Sequence, residues 1–410
     1  MAFAPRQEHL GKASKPTPDV IPTSVIAFTG GLVTRGLQRI GVQDRTLLRL
    51  RVAAIIILPL ISWLPLLVLT AIDGKLLPGS VHTPFLLDLS AHIRLLAALP
   101  LFVLAARVAE ARLLPTIQQF VARRIVPEAS EDKFNAAVAS AFRLGDSTLA
   151  DILIIVIIYL GDTFFVWRAF TANAATTWYA GSAGPGSHLT PAGFYYAYVG
   201  LPIFQFILLR WYFRLFIWAR FLRHVSKLNL NLLPPHPDRV GGLGFLIMGT
   251  QAFTFFAMAH GAVLAAWLST RVVFAGKHLP SYKTEIIVVV IFVLLLTVAP
   301  LFAFARPLAR TKRRGIIEYG ALASRYANEF NEKWIFRKGE GAEPLVGSAD
   351  IQSLADMSGS YDVVQSMRSV PITTQMLIAF GIATLLPVAP LLLTLMSLSD
   401  ILKKLAGVLF

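Results

Sequence analysis

Residues 52–72 read VAAIIILPLISWLPLLVLTAI, a run of 21 residues without a charged side chain. The hydrocarbon core of a bilayer is roughly 30 Å thick, and a helix needs about 20 apolar residues to cross it. This stretch therefore predicts a membrane-spanning helix. Residues 1–51 hold no apolar centre of the kind found in a cleavable signal, so the same stretch is expected to start membrane insertion.

Further apolar runs follow along the whole chain. Together with the first, the predicted spans are residues 52–72, 89–109, 149–170, 194–218, 245–269, 286–304 and 375–396. Only 15% of the residues are charged, whereas soluble domains carry about 25%. We therefore predict an all-α, polytopic transmembrane helix bundle of about seven spans.

The basic residues indicate the orientation of this bundle. The net charge is +15, which by itself would also fit a nucleic-acid-binding protein. With the N-terminus in the cytoplasm, however, roughly four fifths of the 38 Lys and Arg residues fall on the cytoplasmic side, as the positive-inside rule requires. We interpret the charge as contact with anionic headgroups of a bacterial inner membrane, without nucleic acid.

The chain then divides into four parts. Residues 1–51 form a cytoplasmic arm, residues 52–305 the first six spans, and residues 306–373 a cytoplasmic connection of helical segments. Within this connection, residues 307–337 are predicted to extend the sixth span, and residues 349–367 to form a short amphipathic helix. Residues 374–410 hold the last apolar segment, which contains LLPVAP. Prolines inside a span are tolerated where neighbouring helices satisfy the freed carbonyls. A kinked span and a re-entrant hairpin both remain open, and the length of the run favours the span.

The densest motif joins the fourth and fifth spans. Residues 230–246 read LNLLPPHPDRVGGLGFL and include, as candidate site residues, His236, Asp238, Arg239, Gly241 and Gly242. Proline restricts φ and glycine permits tight turns, so the segment is predicted to be a rigid corner at the cytoplasmic surface. One interpretation is structural, with Asp238 capping the fifth helix and pairing with Arg239. The other is an ion or ligand gate, with an anion at the helix N-terminus.

The same motif carries a resemblance. HPDRVGGLGFL, together with GSADIQSLADM at residues 347–357, resembles a family of uncharacterised multi-pass bacterial inner-membrane proteins. This resemblance implies a membrane protein and assigns no activity to any residue.

Two ionisable residues are predicted to lie deep inside spans. Asp162 in the third span and His260 in the fifth fall at similar depths, and charges near the bilayer centre are rare because they are costly to insert. We expect the two side chains to interact. The pair is a candidate ion or proton site, and a purely structural helix–helix contact explains it equally well.

A second group of charges is predicted at the cytoplasmic end of the bundle. Asp151 begins the third span, and Arg210 and Arg214 lie one turn apart in the fourth. They form a candidate cluster at an inner mouth. The alternative is that the arginines extend to anionic headgroups.

These features favour an ion channel or small-solute transporter, assembled as a homo-oligomer. The alternative is a membrane-embedded sensor or scaffold whose basic cytoplasmic face binds a partner or anionic lipid. The chain has no cysteine and shows no nucleophile–base, metal or nucleotide motif. We therefore predict no enzyme activity, no metal and no cofactor.

Overall fold

A computed structural model describes residues 44–161, 176–180, 188–274, 278–336 and 347–394. Within these ranges the fold is all-α, and no β-strand forms. The helices are α1 Asp44–Ile72, α2 Leu89–Ala122, α3 Glu128–Gly145, α4 Thr148–Gly161, α5 Pro191–Val225, α6 Phe245–Val272, α7 Leu279–Phe336, α8 Ala349–Gln365 and α9 Thr374–Leu392.

The helices confirm a polytopic membrane bundle. In the described ranges, six are long and apolar enough to cross a bilayer, and α3 with α4 makes a seventh span if this pair, bent by 42°, is counted as one. All seven predicted apolar runs overlap these helices. The predicted third span differs most, because α4 ends at Gly161 and residues 162–175 lie outside the described ranges.

Helix α6 is the centre of the bundle. In the apolar stretch of α6, 72% of the residues are buried, compared with 17% in the apolar stretch of α1. Small residues let neighbouring helices come close, as expected in membranes. At Gly261 a side chain would collide with the carbonyl oxygen of Thr384 on α9. This close approach joins α6 to the last apolar segment.

Opposite the predicted cytoplasmic side, two connections are joined by polar contacts. The indole Nε1 of Trp178 donates to Asp88 Oδ2 at 3.0 Å, and Thr190 caps the start of α5 by accepting from Gly193 N at 2.9 Å. Trp178 is fully buried against Phe85 and Tyr196. These contacts fix the connection before α2 against the start of α5.

Helix α7 is much longer than one membrane crossing requires. No charged residue occurs between positions 286 and 305, a length of about 30 Å at 1.5 Å per residue. The first charge after that run is Arg306, which therefore lies near the edge of the hydrocarbon layer. Residues 306–336 extend the helix by about 45 Å. The predicted extension of the sixth span is confirmed as far as Phe336.

Helix α8 folds back along this extension. Its first turn is held by Asp350, whose Oδ2 accepts from Lys333 Nζ at 2.6 Å and from Trp334 Nε1 at 3.0 Å. Further along, Tyr361 of α8 packs at Gly320 of α7. Thus α8 runs antiparallel to α7. Residues 306–336 with α8 lie on the side predicted to be cytoplasmic, and we call them the cytoplasmic hairpin. The predicted helix at residues 349–367 is confirmed over Ala349–Gln365.

Candidate functional site

The Pro/Gly corner is a closed turn around one carboxylate. Asp238 Oδ1 accepts from Val240 N at 2.8 Å and from Gly242 N at 3.1 Å, and Oδ2 accepts from Gly244 N at 2.7 Å. Gly244 is the residue immediately before α6. The carboxylate itself therefore occupies the N–H groups that an anion would have used. The predicted capping role of Asp238 matches this geometry.

The side chain that lies beside Asp238 differs from the one expected. His236 Nδ1 lies 2.9 Å from Asp238 Oδ1, and the predicted pair with Arg239 does not form in the described structure. Arg239 instead has a left-handed backbone, φ +56°, and its carbonyl accepts from Arg368 N at 2.7 Å. The turn thus points the main-chain carbonyl of Arg239 towards the segment that follows α8.

Two glycines of the corner adopt conformations that favour glycine. Gly241 has φ +66° and Gly242 has φ +97°. A Cβ on Gly242 would lie 2.7 Å from Ile125 Cδ1, and one on Gly241 would lie 3.2 Å from Met367 Cε. The corner is thus packed between the end of α2 and the end of α8.

Arg368 closes the corner from the other side, and the sequence patterns missed it. Its Nη2 donates to the carbonyl oxygen of Asp238 at 3.2 Å, and its Nη1 donates to that of Ile372 at 2.9 Å. Arg368 comes 130 residues after Asp238 in the chain, so no local motif indicates the contact. The corner and the cytoplasmic hairpin form one connected unit.

At the predicted inner mouth, the structure brings together two of the three expected charges. Arg210 Nη1 lies 2.8 Å from Asp151 Oδ1, and the Asp151 side chain is fully buried. Arg210 also donates to the carbonyl oxygen of Gly145 at the end of α3. The guanidinium of Arg214 lies over the ring of Trp211, 4.8 Å from its centroid. The ion pair joins α3, α4 and α5 and accounts for a buried carboxylate.

His260 is buried in α6 and has polar partners at both ring nitrogens. Nδ1 lies 3.0 Å from the carbonyl oxygen of Phe256, one turn earlier, and so acts as the donor there. In the neutral ring Nε2 then accepts from the hydroxyl of Tyr212 on α5, at 3.0 Å. Phe102 and Phe256 pack around the imidazole.

The expected partner Asp162 lies outside the described residues, so the predicted Asp162–His260 contact stays a prediction. Tyr212 was not singled out from the sequence, because a tyrosine in a belt of aromatic residues is typical of a membrane interface. Only the helix pairing of α5 with α6 places its hydroxyl at His260.

A large groove opens beside Tyr212. It has a volume of about 1040 Å³ and lies between the C-terminal half of α5, the segment 226–232 and α7 near residues 295–311. Apolar side chains line the part nearer the membrane centre, among them Phe216, Leu295 and Phe302. Basic side chains line the other end. These are Arg223, Lys227, Arg306 and Arg310.

These four basic residues are exposed, and none forms an ion pair or side-chain hydrogen bond with a residue that the structure describes. Sequence reasoning missed the groove because its two walls are about 80 residues apart in the chain. The groove therefore combines an apolar half with an uncompensated positive half.

Comparison of the chain with protein-family models, curated proteins and solved structures found no match.

Proposed function

We propose that this integral membrane protein is a sensor or scaffold of a bacterial inner membrane, in which anionic lipid at the basic face controls the cytoplasmic hairpin. One observation carries the proposal. Arg306 and Arg310 line the groove and also begin the part of α7 that forms the hairpin. Lipid that binds these residues contacts the projecting helix directly.

The electrostatics support this proposal. A basic residue close to an anionic membrane surface contributes about 1 kcal/mol of binding free energy. Arg223, Lys227, Arg306 and Arg310 have no competing carboxylate among the described residues. Their positive charge therefore remains available to the headgroups.

The cytoplasmic hairpin provides an exposed surface outside the helix bundle. Contacts of Asp350 with Lys333 and Trp334 hold the start of α8 to the extension of α7, and Arg368 holds the end of the hairpin to the corner. The outer surface of the hairpin keeps apolar residues exposed beyond the membrane, including Ile317 and Phe336. These side chains are therefore accessible to a partner protein.

The proposal is tested by thermal unfolding in nanodiscs. We expect the wild-type protein to melt at least about 2 °C higher in phosphatidylcholine with 30% phosphatidylglycerol than in phosphatidylcholine alone. High salt and the variant R306Q/R310Q should both remove this difference. R325Q is the matched control, because Arg325 lies on the same helix about 28 Å further along. An equal melting temperature in both lipids contradicts the proposal.

Transport of a proton or small ion is the second candidate function. Tyr212 favours it, because its side chain lines the groove and its hydroxyl reaches the buried ring of His260. A hydrogen-bonded tyrosine–histidine pair next to a cavity is a plausible element of a proton path. Proton flux into proteoliposomes that is lost in both Y212F and H260A, with folding intact, supports transport. The absence of flux in the wild-type protein contradicts it.

A further inference from the structure

We infer that the groove between α5 and α7 is a binding site for one phospholipid with an anionic phosphate headgroup. The site deepens the proposed function and rests on it for its biological role. The occupant follows from the depth of the groove, the distribution of its lining residues and the small side chains where α5 and α7 meet.

Depth places the two halves of the groove in two different environments. Arg306 follows an uncharged run of about 30 Å and so lies near the edge of the hydrocarbon layer. Leu295 and Leu296 come about three turns earlier and lie inside that layer. Arg310 comes one turn later, at headgroup level. An occupant must therefore be apolar towards the membrane centre and anionic towards the headgroups.

At the level of the groove, a 3₁₀ segment of α7 packs closely against α5. Residues Ala299–Phe304 form a 3₁₀ segment, with Pro300 near its start. Proline has no N–H and interrupts the α-helical hydrogen bonds, which bends or displaces the helix. The small side chains of Ala219 and Ala303 line the groove at this level. Because these side chains are small, they leave the groove open over the contact between the two helices, where an acyl chain can lie.

The positive end has donors suited to a phosphate. Arg306 and Arg310 come from α7, whereas Arg223 and Lys227 come from the end of α5 and the segment after it. Guanidinium groups bind phosphate oxygens through paired hydrogen bonds. Cations from both walls can reach one headgroup, which distinguishes the site from a single basic helix lying on the membrane.

The far end of the groove reaches Tyr212, the partner of His260. An acyl chain that fills the groove would cover this tyrosine and exclude water from its hydroxyl. Occupation of the groove and the environment of the buried histidine are thereby linked.

Native mass spectrometry of the delipidated protein tests the site by titration with phosphatidylglycerol and with phosphatidylcholine of the same acyl chains. We expect one phosphatidylglycerol to bind in preference to phosphatidylcholine. R306Q/R310Q should bind it about thirtyfold more weakly, since two cations contribute about 1 kcal/mol each. A303W, which fills the groove, should bind neither lipid, whereas R325Q should bind as the wild-type protein does.

Three results would overturn the site. They are equal affinity for the two lipids, wild-type binding by R306Q/R310Q, and displacement of the lipid by inorganic phosphate alone, which would indicate a phosphate site without an acyl chain. If A303W fails to fold, the arginine variant decides, because its residues are exposed.

The experiments distinguish failure of the lipid site from failure of the proposed function. Stabilisation by anionic lipid without one bound lipid removes the site and leaves the function. One bound lipid without any stabilisation of the protein or response of the hairpin removes the function and leaves the site.

Discussion

Arg368 donates a hydrogen bond from its guanidinium to the main-chain carbonyl of Asp238, at 3.2 Å, across 130 residues of sequence. The side chain of Asp238 meanwhile fixes the turn that begins α6. The end of the hairpin is thus attached to the entry of the central helix.

Removing this attachment is expected to loosen the hairpin and destabilise the protein. R368A loses the side-chain bonds to the carbonyls of Asp238 and Ile372, so we expect a loss of about 2–3 kcal/mol in the free energy of unfolding. R325A, an exposed arginine on α7, is the control and should change stability by less than about 0.5 kcal/mol. Thermal unfolding of both variants measures the difference, and equal melting temperatures would show that Arg368 is dispensable.

The corner glycines are expected to be required for folding. G242A combines a backbone at φ +97° with a Cβ 2.7 Å from Ile125 Cδ1, so we expect a loss of about 2–4 kcal/mol. G242V should be worse, and G241V should also lower the yield of folded protein, because β-branched residues rarely adopt positive φ. In the control G359A the new methyl group meets open space on α8. Normal yields from the corner variants would contradict the conformational requirement.

Removing one charge of the buried ion pair is expected to destabilise the protein strongly, because the other charge then stays buried alone. D151N or R210Q leaves one buried partner without its counter-charge, and we expect each to cost about 3–5 kcal/mol. The double variant D151L/R210M should be less destabilised than the sum of the two, which a double-mutant cycle measures. Strictly additive effects would show that the residues do not stabilise each other.

The first turn of α8 is expected to respond to acid. Hydrogen bonds from Lys333 and then Trp334 hold the pKa of Asp350 below its usual value. A lowered folded-state pKa stabilises the hairpin fully above the unfolded pKa of about 3.9, and this stabilisation is lost as the pH falls through the folded value. The hairpin should therefore loosen only below about pH 4.

A spin label on G359C measures this response, because the chain has no other cysteine. Label mobility should rise below about pH 4, and in K333Q the rise should begin at higher pH. D350N should lack this transition. An unchanged transition in D350N would assign the acid response to other carboxylates.

Elements built from local pattern could be predicted from the sequence. Uncharged runs such as residues 52–72 gave the spans, and helix-forming residues after Pro307 gave the extension of α7. The turn at Gly241 and Gly242 followed from the backbone freedom of glycine. In each case the physical cause lies within about 20 neighbouring residues.

Apart from the meeting of Asp151 with Arg210, contacts between distant segments could not be predicted in this way. The contact of Tyr212 with His260 was not predicted, because the position of a residue in its span does not specify which helix faces meet. Helix packing places Tyr212 at the ring. The groove likewise depends on the distance between α5 and α7, which no single segment encodes.

Hydrogen–deuterium exchange of α8 tests the central claim most directly, since it reports whether anionic lipid at Arg306 and Arg310 orders the hairpin. The protein is compared in nanodiscs of phosphatidylcholine with and without 30% phosphatidylglycerol, beside R306Q/R310Q and R325Q. We predict slower exchange over residues 349–365 with the anionic lipid in the wild-type protein and R325Q, and no slowing in R306Q/R310Q. Identical exchange of the wild-type protein in the two membranes, or equal slowing in R306Q/R310Q, would contradict the account.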